Sequence, residues 1–275
     1  MSINTEDFEV IRNFLRENSG ISLQDGKEYL VEGRLSSVLA SEGFTDFAEL
    51  TRSLRDNDSG TLRKKVLEAM TTNETSFFRD RHPFETLRTG VLPELLIKRQ
   101  EQKKLEIWCA ACSSGQEPYS LAMLILDKFP QIKDWNIKII ASDISEEMLE
   151  RSREGLYSQF EVSRGLPGHY VPKFFQRFGS KWEVKQELKE MMEFKLINLT
   201  GNLTGIPPVD ILFIRNVLIY FEENTKKEIL TKIKGLLKPD GYLFLGSGEH
   251  VVCLDDLFEQ TEYSTSSCFR LRPNS

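Results

Sequence analysis

Three short stretches of this chain put polar residues where an apolar run ends, and each could grip a small ligand. The first is Ala110-Ala-Cys-Ser-Ser-Gly-Gln-Glu-Pro118. Its small side chains let the backbone come close to a ligand, while Glu117 offers one carboxylate where a helix opens. A carboxylate there suits a cationic group such as an ammonium and repels a pyrophosphate. The G-x-G-x-x-G pattern of dinucleotide sites is missing. The same residues also read as a tight strand-to-helix turn, with Glu117 stabilised in the first turn by the helix dipole. The second stretch ends at Asp143, placed either to accept hydrogen bonds from two ribose hydroxyls or to cap a helix that begins at Ser145. The third is Arg215-Asn-Val-Leu-Ile-Tyr-Phe221, where Arg215 and Asn216 follow a buried strand and need partners.

Thiol and metal chemistry have weaker support. Cys109 and Cys112 form a C-x-x-C, but a zinc site would need a second pair, and Cys253 and Cys268 stand 15 apart. His82, His169 and His250 supply no ligand spacing, so no metal is expected. The plainer reading of the pair is two small buried residues.

Holding the three stretches together requires a framework, and the chain has one. From about residue 100, strand and helix alternate: Leu105–Cys109, a helix from Pro118 to about Phe129, Ile137–Ala141, and a helix from Ser145. Asp210–Arg215 is a third strand, followed by a helix after Asn224 with Ile229, Ile233, Leu236 and Leu237 on one face. Lys238-Pro-Asp-Gly241 then turns into a last core strand, Tyr242–Leu245. Such alternation predicts a mainly parallel sheet with helices on both faces, and ligands bind such sheets beyond the carboxyl ends of the strands. From Leu156 to Glu193 the rhythm breaks, with aromatic residues, Gly and Pro breaks, and the alternating run Lys181-Trp-Glu-Val-Lys185. That predicts an insertion carrying a small antiparallel hairpin.

The first 70 residues read differently. Phe8, Ile11, Phe14 and Leu15 fall at helical spacing, as do Val31, Leu35, Val38 and Leu39, then Phe47, Leu50 and Leu54, then Leu62, Val66, Ala69 and Met70. Asp46 and Glu49 form a helix start signal, and Gly20, Gly43 and Gly60 stand at the breaks. The prediction is a small all-helical domain.

The net charge of −6 argues against binding bulk nucleic acid. Residues 1–72 are acidic too, with nine Lys and Arg against thirteen Asp and Glu. A basic docking surface must therefore be a local patch of Arg52, Arg55, Arg63, Lys64 and Lys65, or these residues simply form a solvated helix face. No apolar run reaches the roughly 20 residues needed to span a bilayer, and the acidic start Met1–Asp7 lacks signal-peptide character. The expectation is a cytoplasmic protein without membrane insertion.

Four segments together resemble the CheR chemotaxis receptor methyltransferases. They are Met70-Thr-Thr-Asn-Glu-Thr-Ser-Phe-Phe-Arg79, Ala110–Ser120, Ala141-Ser-Asp-Ile144 and Arg215–Phe221, and the resemblance runs in order from about residue 5 to 272. It implies an α/β protein with a small all-helical receptor-docking domain over 1–72. An interdomain segment over 73–82 would contribute to the cofactor site. Residues 83–275 would form a Rossmann-like S-adenosylmethionine methyltransferase domain with the β-subdomain inserted at about 156–193. It further implies that Asn73, Thr75 and Arg79 close over the cofactor, that Glu117 takes its amino group and that Asp143 takes its ribose. Asn198 and Leu199 would flank the adenine, and Arg215 and Asn216 would complete the pocket. Arg79 and Tyr220 would lie near the transferred methyl and position the acceptor. The implied reaction turns S-adenosylmethionine into S-adenosylhomocysteine and esterifies glutamates on the cytoplasmic helical domains of chemoreceptors, with the enzyme a monomer.

Two departures stand out. The family often has Gly-His-Ser-Glu after the last core strand, whereas this chain has Gly246-Ser-Gly-Glu249, a change expected to touch only local packing. Members that tether to a receptor's C-terminal peptide resemble one another in a longer, glycine-bearing subdomain loop. Phe178-Gly-Ser-Lys181 is shorter, so no such tether is expected. A glutamate acceptor, with a reference pKa of about 4.3, is already ionised at neutral pH and needs no general base, which fits the scarcity of histidine.

Overall fold

The computed structural model describes residues 2–56, 60–249, 251, 254–261, 263 and 268–273, so His250 and Cys253 lie outside the described residues. The chain forms two compact units: Met1–Thr72 with Tyr220–Thr225, and Asn73–Ile219 with Lys226–Ser275.

Among its described residues the first unit is built on helices α1 Thr5–Ser19, α2 Glu28–Glu42, α3 Phe47–Arg55 and α4 Gly60–Met70. Their apolar stripes meet in one core that includes Phe8, Ile11, Leu15, Val31, Leu35, Leu50, Leu62 and Val66. The side chains of Asn4 and Asp46 accept the amides of Asp7 and Glu49, satisfying donors that each helix start leaves free. Gly20 and Gly43 end α1 and α2 in the left-handed region, whereas Gly60 opens α4. Buried Asp7 accepts from Thr51 Oγ1 at 2.5 Å and ties α1 to α3. Of the residues offered as a basic patch or a solvated face, three make contacts within the unit. Arg55 pairs with Glu6, Lys65 with Glu42, and Arg63 bonds the Leu54 carbonyl and Asn18 while lying over Phe14. The short segment Tyr220–Thr225 joins this unit through a bridge between Ile21 and Phe221 and a 2.9 Å bond from the Ser22 amide to the Tyr220 carbonyl.

Among the described residues the second unit contains ten strands, in chain order β1 Lys104–Ala110, β2 Asn136–Asp143, β3 Leu156–Tyr157, β4 Phe175–Phe178, β5 Lys181–Val184, β6 Met192–Leu196, β7 Val209–Ile214, β8 Leu237–Leu245, β9 Phe258–Gln260 and β10 Cys268–Leu271. Seven form one sheet in the order β6-β2-β1-β7-β8-β10-β9, parallel from β6 to β8 and antiparallel beyond. The chain builds outward from β1 to β2 and β6, then returns to the other side of β1 with β7, so the strand order reverses at β1. Helices Gln116–Lys128 and Glu146–Glu154 follow β1 and β2.

The insertion is a three-stranded antiparallel sheet, β3-β5-β4, one strand more than the hairpin expected. Two residues of alternation at Leu156-Tyr157 are too few to announce β3 in the sequence. Lys238–Gly241 is no separate turn, because β8 runs through it with a shifted register between Val209 and Ile211 of its neighbour. The C-terminal pair β9 and β10 was not anticipated either; each is only three or four residues long.

Glu94, on the short helix Leu92–Lys98, sits in a polar cluster against the β8 side of this sheet. Burial pushes its carboxyl up, but bonds from Lys98, Tyr242, Tyr263 and Arg270 outweigh that and hold it down at about 2. Tyr242 Oη donates at 2.5 Å, Lys98 Nζ at 2.7 Å and Tyr263 Oη at 3.0 Å. The folded value lies below the unfolded one of about 4.3, so the ionised form stabilises the fold above that pH. The contribution is lost as pH falls from about 4.3 toward about 2. Glu94→Gln is therefore expected to flatten the pH dependence of unfolding free energy across that window, measured by denaturant titration.

Candidate active site

The carboxyl ends of β6, β2, β1 and β7 lie side by side: Asp143 is in register with Leu196, and Ala110 with both Ser142 and Ile214. The segments leaving these four ends carry most of the residues singled out from the sequence.

After β1 the chain makes a strained cradle. Ala111 and Ser113 adopt φ of 57° and 51°, and Gly115 a φ of 91°. For residues with a Cβ, the left-handed region costs roughly 1–2 kcal/mol each. Strain of this kind persists only where surrounding bonds over-determine it. Here the Cys112 amide donates to the Ser142 carbonyl at 2.9 Å and the Ser113 amide to Asp143 Oδ2 at 2.7 Å. Ser113 Oγ donates to the Asn73 carbonyl at 2.8 Å, drawing the 73–82 segment to the cradle. The helix Gln116–Lys128 then starts, so Glu117 lies in its first turn where the free amides point outward.

Asp143, 6% exposed, closes β2. Besides Ser113, it accepts the Ser145 amide at 2.9 Å, while the Ser145 side chain caps the next helix by accepting the Met148 amide. Burial pushes its carboxyl up and these amides pull it back. The Ile144 amide bonds it as well, so it is a loop fastener at the ligand edge of the sheet. The Asp143 carbonyl accepts the Ile197 amide at 2.9 Å, which brings Asn198 and Leu199 beside it. Leu199 is buried, and Asn198 Oδ1 folds back onto Thr200, at 3.0 Å from its amide and 2.8 Å from its hydroxyl.

Arg215 is the electrostatic centre. Its side chain is 1% exposed. One terminal nitrogen donates to Glu117 Oε2 at 2.7 Å; the other reaches Asp80 Oδ2 at 2.6 Å and the Arg79 carbonyl at 3.1 Å. Its Nε has no hydrogen-bond partner among the described residues. Burial pushes the Glu117 carboxyl up while Arg215 pulls it down. Arg79 itself is turned to its own segment, donating to the Glu74 carbonyl at 2.8 Å. Asn216 follows at φ 58°, a conformation asparagine tolerates better than most. Thr75 is half-buried in the same segment as Asn73. Tyr220 ends a short 3-10 turn, Leu218–Tyr220, and groups with the helical unit.

Asp80 and Glu249 were missed. Asp80 gave no signal beyond following Arg79. Glu249, 8% exposed, accepts the amides of Val217 at 2.8 Å, Leu218 at 2.7 Å and Gly246 at 2.7 Å. It thereby fastens the turn containing Asn216 to the end of β8. A Cβ on Gly246 would come within 2.8–3.0 Å of Glu249 and Asn216, so the close approach here depends on the two residues of the tetrapeptide that do not depart from the family pattern. The cysteine pair is inert by contrast. Cys109 and Cys112 are buried, and burial pushes both thiols well above their usual range.

This donor set fits an adenosyl amino acid. The Glu117 carboxylate suits an ammonium, the unpartnered guanidinium nitrogen suits a carboxylate, and the acidic strand end suits ribose hydroxyls. Comparison with known proteins agrees. Residues 73–267 match the model described as CheR methyltransferase, SAM binding domain, and residues 6–71 match CheR methyltransferase, all-alpha domain. The chain is 41% identical to chemotaxis protein methyltransferase 1 of Pseudomonas aeruginosa, across 99% of this chain and 100% of that one. It is 39% identical to chemotaxis protein methyltransferase Cher2 of Pseudomonas putida, with the same coverage. Against chemotaxis protein methyltransferase 1 of Vibrio cholerae it is 36% identical over 99% of both chains. By these matches, the chain belongs to the CheR methyltransferase family, S-adenosylmethionine-dependent methyltransferases of chemotaxis.

Proposed function

We propose that the protein transfers the methyl group of S-adenosylmethionine to glutamate side chains of chemoreceptors, giving methyl esters. The observation that carries this reading is the buried Arg215 bridging Glu117 and Asp80 at the carboxyl edge of the sheet. It supports a site for a zwitterionic amino acid attached to adenosine. Glu117 would hold the ammonium, Arg215 the carboxylate and Asp143 the ribose, with Asn73, Thr75, Asn198, Leu199 and Asn216 around them. The cofactor supplies an electrophilic sulfonium methyl. The chain's own task is to strip water from the acceptor carboxylate and hold it in line. Arg79 and Tyr220 take the positioning roles. A permanent Arg–carboxylate pair would also stabilise the ground state, so Arg79 must guide more than clamp.

The helical unit and the β-subdomain would together recognise the receptor, as a monomer in the cytoplasm. Among the described residues no helix is long and apolar enough to cross a membrane. The turn joining β4 and β5 is only Gly179 and Ser180. Receptor cytoplasmic fragments with and without their last five residues are therefore expected to be methylated at the same rate with labelled cofactor. A rate that falls several-fold on truncation would overturn tether independence while leaving the enzyme assignment in place.

A further inference from the structure

The inserted β-subdomain reaches the cofactor cradle through one buried side chain. Tyr157, on β3, is 1% exposed, and its hydroxyl donates to the Ser114 carbonyl at 2.7 Å. Ser114 lies between the two left-handed residues Ser113 and Gly115, and it is itself buried. The amides on either side are committed as well, that of Ser113 to Asp143 Oδ2 at 2.7 Å and that of Gly115 to the Cys112 carbonyl at 3.0 Å. The Tyr157 bond fixes the remaining carbonyl, that of Ser114. Gly115 is confined from the same direction, because a Cβ there would collide with Ser152 Oγ and stand 3.0 Å from the Tyr157 hydroxyl.

The ring of Tyr157 is also locked. Phe77 meets it edge-on at 5.0 Å and Phe175 of β4 at 6.4 Å, with Phe77 and Phe175 5.7 Å apart. Phe77 belongs to the same segment as Asn73, Thr75 and Arg79. On this segment's other flank, a Cβ on Gly165 of the insertion would collide with the Phe77 carbonyl. One tyrosine therefore ties three chain segments together: the cradle, the segment proposed to close over the cofactor, and the subdomain sheet.

We propose that Tyr157 is a positioning residue for the cofactor, holding the Ser114 peptide in its strained orientation from the β-subdomain. This rests on the cofactor reading above. The residue touches neither cofactor nor acceptor; it acts through the backbone of the cradle. Tyr119 supplies a matched control. Its hydroxyl, buried like that of Tyr157, donates to the Ser152 carbonyl at 2.9 Å, a helix carbonyl outside the cradle.

The test is S-adenosylhomocysteine affinity by calorimetry in Tyr157→Phe and Tyr119→Phe, each checked by thermal melting. Leaving the Ser114 carbonyl without its donor is expected to weaken binding roughly tenfold, with a matching rise in KM for S-adenosylmethionine and little change in kcat. Tyr119→Phe is expected to lose similar thermal stability and bind as the wild type does. Equal affinity in Tyr157→Phe and wild type, or equal losses in both variants, would overturn the tether. If wild-type protein binds no S-adenosylhomocysteine, the cofactor reading itself fails. Should Tyr157→Phe not fold, hydrogen exchange of the wild type decides. The ligand must slow exchange at Leu156 and Tyr157 as well as in the cradle, and protection confined to the cradle counts against the proposal.

Discussion

Replacing Arg215 with methionine is expected to weaken S-adenosylhomocysteine binding by roughly a hundredfold or more and to cost the fold about 3 kcal/mol. Methionine fills similar volume, so the loss is electrostatic. Glu117, with a side chain only 12% exposed, would keep its burial and lose the cation that opposes it. Burial already pushes this carboxyl up, and without Arg215 it rises further. A neutral acid cannot attract an ammonium, so the residual affinity of the variant should increase with pH as Glu117 ionises. Asp80, 36% exposed, remains partly solvated and contributes less. Calorimetry at two pH values measures both effects. A variant that binds the product like the wild type would remove Arg215 from the site.

The second large effect lies at the opposite end of the sheet. Asp210 is fully buried near the start of β7, and three donors converge on it. Arg99 Nε lies at 2.8 Å from one oxygen, while Lys238 Nζ and the Glu106 amide lie at 2.8 Å from the other. Arg99 extends to Asp240 with both terminal nitrogens, at 3.0 and 2.6 Å. Asp210→Ala leaves a guanidinium, an ammonium and an amide facing a void. Breaking a buried pair in this way typically costs about 3–5 kcal/mol, here a drop in Tm on the order of 10 °C. Because the network sits far along β7 from Arg215, kcat per folded molecule should hold. A Tm within ~2 °C of wild type would show that the network contributes little.

Much of this architecture was legible before any coordinates. The apolar spacing of Phe8, Ile11 and Leu15, or of Ile229 and Ile233, fixes a helix and its buried face, but Leu236 and Leu237, read on the same face, lie beyond the helix end at Lys234, Leu237 opening β8. The runs that became β1, β2 and β7 are mainly apolar, with Glu106, Lys138 and Asp210 as interruptions, because both sides of a central parallel strand are covered. Short strands escaped because two to four residues cannot establish a period, as with Leu156-Tyr157 and Phe258–Gln260. Site residues at strand ends stood out because Arg215 and Asp143 break an apolar pattern. Asp80, Glu249 and Tyr157 did not, because their partners are backbone groups or residues dozens of positions away. A carboxylate that accepts three amides looks in sequence like any other surface glutamate.

The most direct test of the proposed reaction uses wild-type protein, S-adenosylmethionine labelled in its methyl group, and a chemoreceptor cytoplasmic fragment. Methyl esters of glutamate release methanol in mild alkali, whereas N-methyl and C-methyl products keep their label. Transfer to the fragment with essentially all label recovered as volatile methanol after mild base is the predicted result. Label that stays on the protein through base, or no transfer by protein that still binds S-adenosylhomocysteine, would contradict it.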